Sequence, residues 1–249
     1  MQPRSSAVLS AAAVRALCGA AAGSIAGDVR PRLARLVRFA SLALFTACSG
    51  PAPGPAAAPR PSAPPAPAAP DKLLPPSAFA SIEPPAARSQ ALFAEASRVL
   101  LHARCVNCHP PDDSPRQGDA HAFHDPPAVR GPADRGVPAM QCGSCHQDQN
   151  LPYARVPGAP DWHLAPVEMA WLGRSSAQIC AQLSDPRRNG QKTLAQIQHH
   201  LAHDALVGWG WGPGHGRSAP PGSQVELGAL FQAWIDTGAV CPAGEEKRP

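Results

Sequence analysis

Two pentapeptides carry the chemistry in this sequence: Cys105-Val-Asn-Cys108-His109 and Cys142-Gly-Ser-Cys145-His146. C-x-x-C-H spacing puts two thiols on one turn, within reach of the two vinyl groups of one porphyrin, and points the adjacent imidazole at its iron. Each motif predicts one covalently bound haem c, with Cys105, Cys108 and His109 serving the first and Cys142, Cys145 and His146 the second. A zinc ribbon would place its CxxC pairs about 15–20 residues apart. Here 33 residues separate Cys108 from Cys142, and each pair runs into a histidine that zinc does not need. A thioredoxin-like pair belongs before a helix in a βαβ unit, and the sequence shows no strand pattern of that kind.

With His109 and His146 as proximal iron ligands, function turns on what closes the sixth position. Eight further histidines are present. His124 and His121 lie between the motifs, His163 sits in the proline-braced run Pro160–Pro166, and His203 shares a helix face with His199 while His200 points elsewhere. The order of expectation is His124, His203, His163, His121. Met169 is the alternative, since Met/His ligation raises a potential relative to bis-His. Its amphipathic surroundings favour a core position, so two bis-histidine haems are expected. Trp162, Trp171, Trp209, Trp211 and Trp234 are expected against porphyrin edges.

The elements that must position these groups are helical. Leu92, Ala96, Val99, Leu100 and Ala103 share one face of a helix over 88–104 that is expected to run straight into Cys105. Ser175 with Gln178, Thr193 with Gln196 and Ser223 with Glu226 are capping-box patterns, predicting helices over about 176–184, 194–204 and 224–237. The apolar face of the last suits packing on the first. The fold class expected is mainly α, cytochrome c-like and loop-rich, with covalent haems forming much of the core. Cys180 and Cys241 remain after the motifs are assigned. In an oxidising compartment they are expected to pair, the alternative being a buried Cys180 and a free Cys241.

Composition sets the organisation. Of 249 residues 32 are proline, crowded between Pro51 and Pro85, and only 5% are aromatic, too few for a large conventional core. Six arginines against Asp28 give residues 1–47 a charge of +5, so the remainder of a chain with formal charge +4 stands at about −1. The basic balance belongs to the presequence, which excludes nucleic acid as a partner. Basic residues Arg30–Arg38 precede the apolar run Phe39–Ala47 and Thr46-Ala47-Cys48, which resembles a lipobox with Phe45 in place of the usual Leu. The expected organisation is an N-terminal extension and lipoprotein-type export signal over 1–47, with residues 1–28 ahead of the true start, and lipidation at Cys48. A Pro/Ala-rich tether over 48–86, a dihaem domain over 87–242 and a charged tail over 243–249 follow. Cleavage near Cys48 to a soluble product is the alternative. Either way the location expected is periplasmic, with outer-membrane anchoring by lipid in the first case.

From Cys105 to Cys241 the chain resembles bacterial exported c-type cytochromes of the group labelled "isoquinoline 1-oxidoreductase subunit". The likeness rests on CVNCHPPDDSPRQGD, PAMQCGSCHQDQN, VPGAPDWHLAPVEMAW, ICAQLSDPRRNG, HDALVGWGWGPG and the terminal GAVCP. The resemblance implies company with a molybdenum hydroxylase. The chain is too short for a molybdopterin domain and lacks the cysteine spacing of [2Fe–2S] clusters. The function expected is therefore electron transfer, from a dehydrogenase donor to a respiratory acceptor, without catalysis. A small dihaem peroxidase or reductase with one open iron, and a haem-based sensor, are the competing readings.

Overall fold

Helices dominate the described residues, and their ends follow from prolines and caps. The computed structural model describes Pro65 and residues 69–244. The expected export signal, Cys48, most of the proline-rich stretch and the end of the charged tail lie outside these residues. Helix α1, Pro85–Leu100, starts on Pro84 and Pro85, where a missing N–H would be unpaired in any case. It buries Leu92, Phe93, Ala96, Val99 and Leu100.

The helix does not run on into Cys105. It stops at Leu100, and a short helix α2, Ala103–Val106, restarts with His102 as its cap. His102 Nδ1 accepts from the Arg104 N–H at 3.2 Å, and its Nε2 lies 3.2 Å from Ser218 Oγ. The periodicity continues across a break because Ala103 is buried on both accounts.

Helix α3, Cys142–Cys145, is the turn of the second motif. Helices α4, Ser176–Leu183, α5, Leu194–His203, and α7, Gln224–Asp236, stand within a residue of their expected ends, and α6, Ala205–Gly208, follows α5 directly. Ser175 and Thr193 form full capping boxes with Gln178 and Gln196. Two antiparallel hairpins join the loops: β1, Arg116–Gln117, with β2, Ala122–Phe123, and β3, Gly136–Val137, with β4, Met140–Gln141.

The core lies where α7 packs between α1 and α5. Phe93, Phe231 and Trp234 meet with ring centroids 5.0–5.8 Å apart. Trp234 therefore belongs to this core, away from either motif. A Cβ at Gly228 would fall 2.5 Å from Ala202 Cβ, so glycine is what lets α7 approach α5 closely. The fold also begins earlier than expected. Leu73, Phe79 and Ile82 are buried in the same cluster, and Leu74 N–H donates to Glu95 at 2.9 Å, so the residues from about 70 to 86 are domain, not tether. Four apolar residues among prolines supply the contacts that composition alone obscures.

Cys180 and Cys241 are joined by a disulfide that ties α4 to the strand of chain after α7. The same exit is fastened to α1, since Ser89 Oγ accepts from Val240 N–H at 2.9 Å and Gln90 donates to the Cys241 carbonyl at 3.1 Å. A sequence separation of 61 corresponds to about 4 kcal/mol in the chain-entropy model. The double variant Cys180→Ser with Cys241→Ser is expected to lose about 2–4 kcal/mol in urea unfolding, while the wild type under reductant falls to the same midpoint.

Candidate functional site

Each C-x-x-C-H motif occupies one helical turn. In the first, Cys108 N–H donates to the Cys105 carbonyl at 3.1 Å and His109 N–H to Val106 at 3.2 Å; in the second, His146 N–H donates to Cys142 at 2.9 Å. None of the four motif cysteines is in a disulfide.

The two imidazoles are held in the same way. His109 Nδ1 lies 2.6 Å from the Met169 carbonyl, and Trp171 stacks on the ring with centroids 3.6 Å apart and planes 4° from parallel. His146 Nδ1 lies 2.8 Å from the Pro157 carbonyl, and Trp162 stacks on it at 4.5 Å and 5°. A carbonyl only accepts, so Nδ1 carries the proton and the lone pair is on Nε2. The indole covers a face of the ring and leaves that edge open.

Further contacts fix these supports. Ala165 N–H donates to Cys108, and Trp171 and Leu172 N–H both donate to His109, which binds segment 165–172 to the first motif. Trp171 Nε1 donates to buried Gln182 at 2.8 Å, and Gln182 donates in turn to the Glu168 carbonyl. At the second motif, Asn150 Oδ1 accepts from Trp209 Nε1 and from Gly158 N–H, at 2.9 and 3.0 Å, while Trp209 meets Trp162 edge to face. A Cβ at Gly158 would strike the Gln147 and Gln149 carbonyls at 2.4 and 2.3 Å, so only glycine lets the Pro157 carbonyl reach His146.

The histidines of both motifs open onto clefts. The first, about 1130 Å³ of space partly open to solvent, is lined by Cys105, Cys108 and His109 with apolar side chains from α5 and α6. The second, about 560 Å³, is half that size and carries Arg104, Arg116 and Arg217. Burial pushes the Cys105 thiol up to about 12 and Cys108 up to about 11, and lowers His109 to about 4 against the opposing effect of the Met169 carbonyl. Burial likewise raises Cys142 and lowers His146. With no ligand bound, burial thus favours the neutral form of these thiols and imidazoles.

The expected sixth ligands separate clearly. His124 reaches His146, with centroids 5.8 Å apart, and its Nδ1 lies 2.7 Å from the Pro126 carbonyl, so its Nε2 is free as well. His163 lines the first cleft. His121 is bonded to Asn107 Oδ1 at 2.8 Å and lines neither cleft. His203 does not line the first cleft and pairs with His199 at 4.8 Å; His200 is the histidine of α5 that lines it, beside Ile197 and Leu201. The i, i+4 pair lies off the cleft, whereas His200 lies beside the apolar stripe of Ile197 and Leu201, both buried. Met169 packs against the core, lines the first cleft beside His163, and presents its carbonyl to Nδ1.

These residues fit a covalent porphyrin. The Arg104 side chain is only 2% exposed, pairs with Asp119, lines both clefts and leaves its buried Nε without a partner, a donor of the kind a propionate accepts from. Among the described residues no three His, Cys, Asp or Glu side chains converge as a metal-ion site requires, while a haem iron asks the protein only for axial ligands. The chain matches no protein-family model, no curated protein and no solved structure.

Gln182, Asn150, Gly158 and Arg104 had no pattern in sequence, since each acts across at least several residues of chain on a group elsewhere. Replacing Gln182 by Leu would leave the Trp171 N–H and the Glu168 carbonyl unpaired in the interior. That is expected to lower stability by about 1–3 kcal/mol in denaturant unfolding, with Trp171 fluorescence reporting its loosened stack.

Proposed function

We propose that this chain is a dihaem c-type cytochrome that carries electrons. The observation supporting the reading most is the repetition: at both motifs the histidine donates Nδ1–H to a backbone carbonyl, lies under an indole and presents Nε2 to a cleft, which at the first motif is bordered by its own Cys105 and Cys108. Such support orients an axial ligand and raises its basicity. A structural pair of histidines has no need to repeat it.

In this reading Cys105 and Cys108 hold the first haem with His109, and Cys142 and Cys145 hold the second with His146. His124 closes the second iron from across the cleft, and Arg104 receives a propionate at the wall common to both. Haem supplies one-electron chemistry when bound, and the protein sets its potential through ligands, burial and charge. The residues themselves orient the imidazoles, and burial keeps the Cys105 and Cys108 thiols neutral before attachment. No catalytic residue is assigned. The resemblance suggests a dehydrogenase, specifically a molybdenum hydroxylase, as donor and a respiratory component as acceptor. Export, lipidation at Cys48 and a periplasmic position at the outer membrane complete the proposal.

Maturation in a host with haem c attachment machinery tests it. Intact mass is expected to rise by two haems, with thioether-type pyridine spectra and negligible peroxide turnover; an unmodified chain, or bound zinc, overturns the reading. Cys108→Ser and Cys145→Ser are each expected to change the spectrum of one haem and leave the other. Arg104→Gln removes a positive charge that favours the reduced state. It is expected to lower at least one midpoint potential by tens of millivolts in redox titration.

A further inference from the structure

Resting on the cytochrome reading, we propose that His200 is the second axial ligand at the first motif, with Asp204 as its positioning residue. A sixth ligand has to come from the side of the cleft that faces His109 Nε2. The segment holding Ala165, Met169 and Trp171 is bound to the motif itself through the Cys108 and His109 carbonyls and through the Met169 carbonyl on Nδ1, so it belongs to the near wall. His163 enters this same segment, with Leu164 N–H on Asp134 and Ala165 N–H on Cys108.

The rest of the lining includes α5, α6, the loop carrying Asn189 and Lys192, and the turn at Trp209 and Trp211, and its one imidazole is His200, set among Ile197, Leu201, Leu206 and Val207. Its side chain is 48% exposed in a stretch that otherwise buries apolar residues. Its Nδ1 lies 3.4 Å from Asp204 Oδ2. The other oxygen of that carboxylate accepts from Leu206 and Val207 N–H, at 2.8 and 3.2 Å, and caps α6. Asp204 is thus fixed by the backbone while it faces the imidazole, an arrangement that favours a proton on Nδ1 and a free Nε2 and makes a histidine a stronger ligand. His199 and His203 pair on a different face and do not line the cleft.

The test uses the matured full chain. Electron paramagnetic resonance of the oxidised wild type is expected to show two low-spin haems. His200→Ala should convert one of the two to high spin, let its reduced form bind carbon monoxide, and regain a low-spin signal with added imidazole, all at an unchanged mass of two haems. Should that variant fail to accumulate, His200→Met is read instead, and its signature is a methionine-to-iron band with a raised potential. His203→Ala should leave both signals as they were. Asp204→Asn keeps an oxygen for the α6 cap but weakens the hold on the imidazole, so it should shift the g values of one haem only; an unshifted spectrum removes Asp204 from the proposal. The proposal is overturned by unchanged low-spin signals in both His200 variants, by a high-spin haem already present in the wild type, or by conversion in His163→Ala instead. A chain carrying no haem overturns it together with the cytochrome reading, and intact mass distinguishes that failure from the others.

Discussion

The constraint on which the site depends is the proton on Nδ1 of two histidines. Met169 and Pro157 each present a carbonyl to that nitrogen, and because a carbonyl cannot donate, the tautomer is fixed with the lone pair on Nε2. Holding a carbonyl there requires the chain to return to the motif after 60 residues in one case and 11 in the other. The longer return is secured by three further backbone bonds to Cys108 and His109. The shorter return needs Gly158, because any side chain there would collide with the backbone that follows His146.

How much of this could be read in the sequence depended on the range of the interaction. Capping boxes are local, so the starts of α4 and α5 could be read from Ser175–Gln178 and Thr193–Gln196 alone. The motif turns are local too. The break before Cys105 was hidden because an apolar period says which residues are buried and not whether the helix between them is continuous; His102 capping Arg104 decides that. Facing relations were hidden for a different reason. His200 could have been found from the Ile197 and Leu201 stripe, but the i, i+4 spacing of His199 and His203 is the more conspicuous pattern and describes a surface pair.

The two clefts are joined and unequal. Arg104, Cys108 and Trp209 line both, so the thiol of the first motif stands at the boundary of the second cleft. Around His109 the lining is mostly apolar, with Arg104 and Lys192 as its cations, and apolar surroundings penalise charge; around His146 Arg104, Arg116 and Arg217 line a smaller cleft. The same CxxCH spacing therefore meets different electrostatic surroundings. In the proposed two-haem carrier that asymmetry would set the two potentials apart, because burial and nearby charge move potentials independently of ligand type.

The distribution of apolar residues accounts for where the chain needs something besides its own side chains. Between Val106 and Ala159 the only buried apolar side chain is Pro110, although this stretch holds all of the second motif. Polar staples replace a core there: buried Arg130 bonds to Asp134 and to the Pro110, Asp112 and Ala165 carbonyls, and Asn107 bridges His121 and Gly118. Ordering each residue costs about 1–2 kcal/mol of backbone entropy, while each such hydrogen bond returns only about 0.5–1.5 kcal/mol net. Staples alone thus leave some fifty residues marginal. A large apolar group anchored at Cys142 and Cys145 and covered by Trp162 and Trp209 would make up the deficit at the place where the sequence provides no interior of its own.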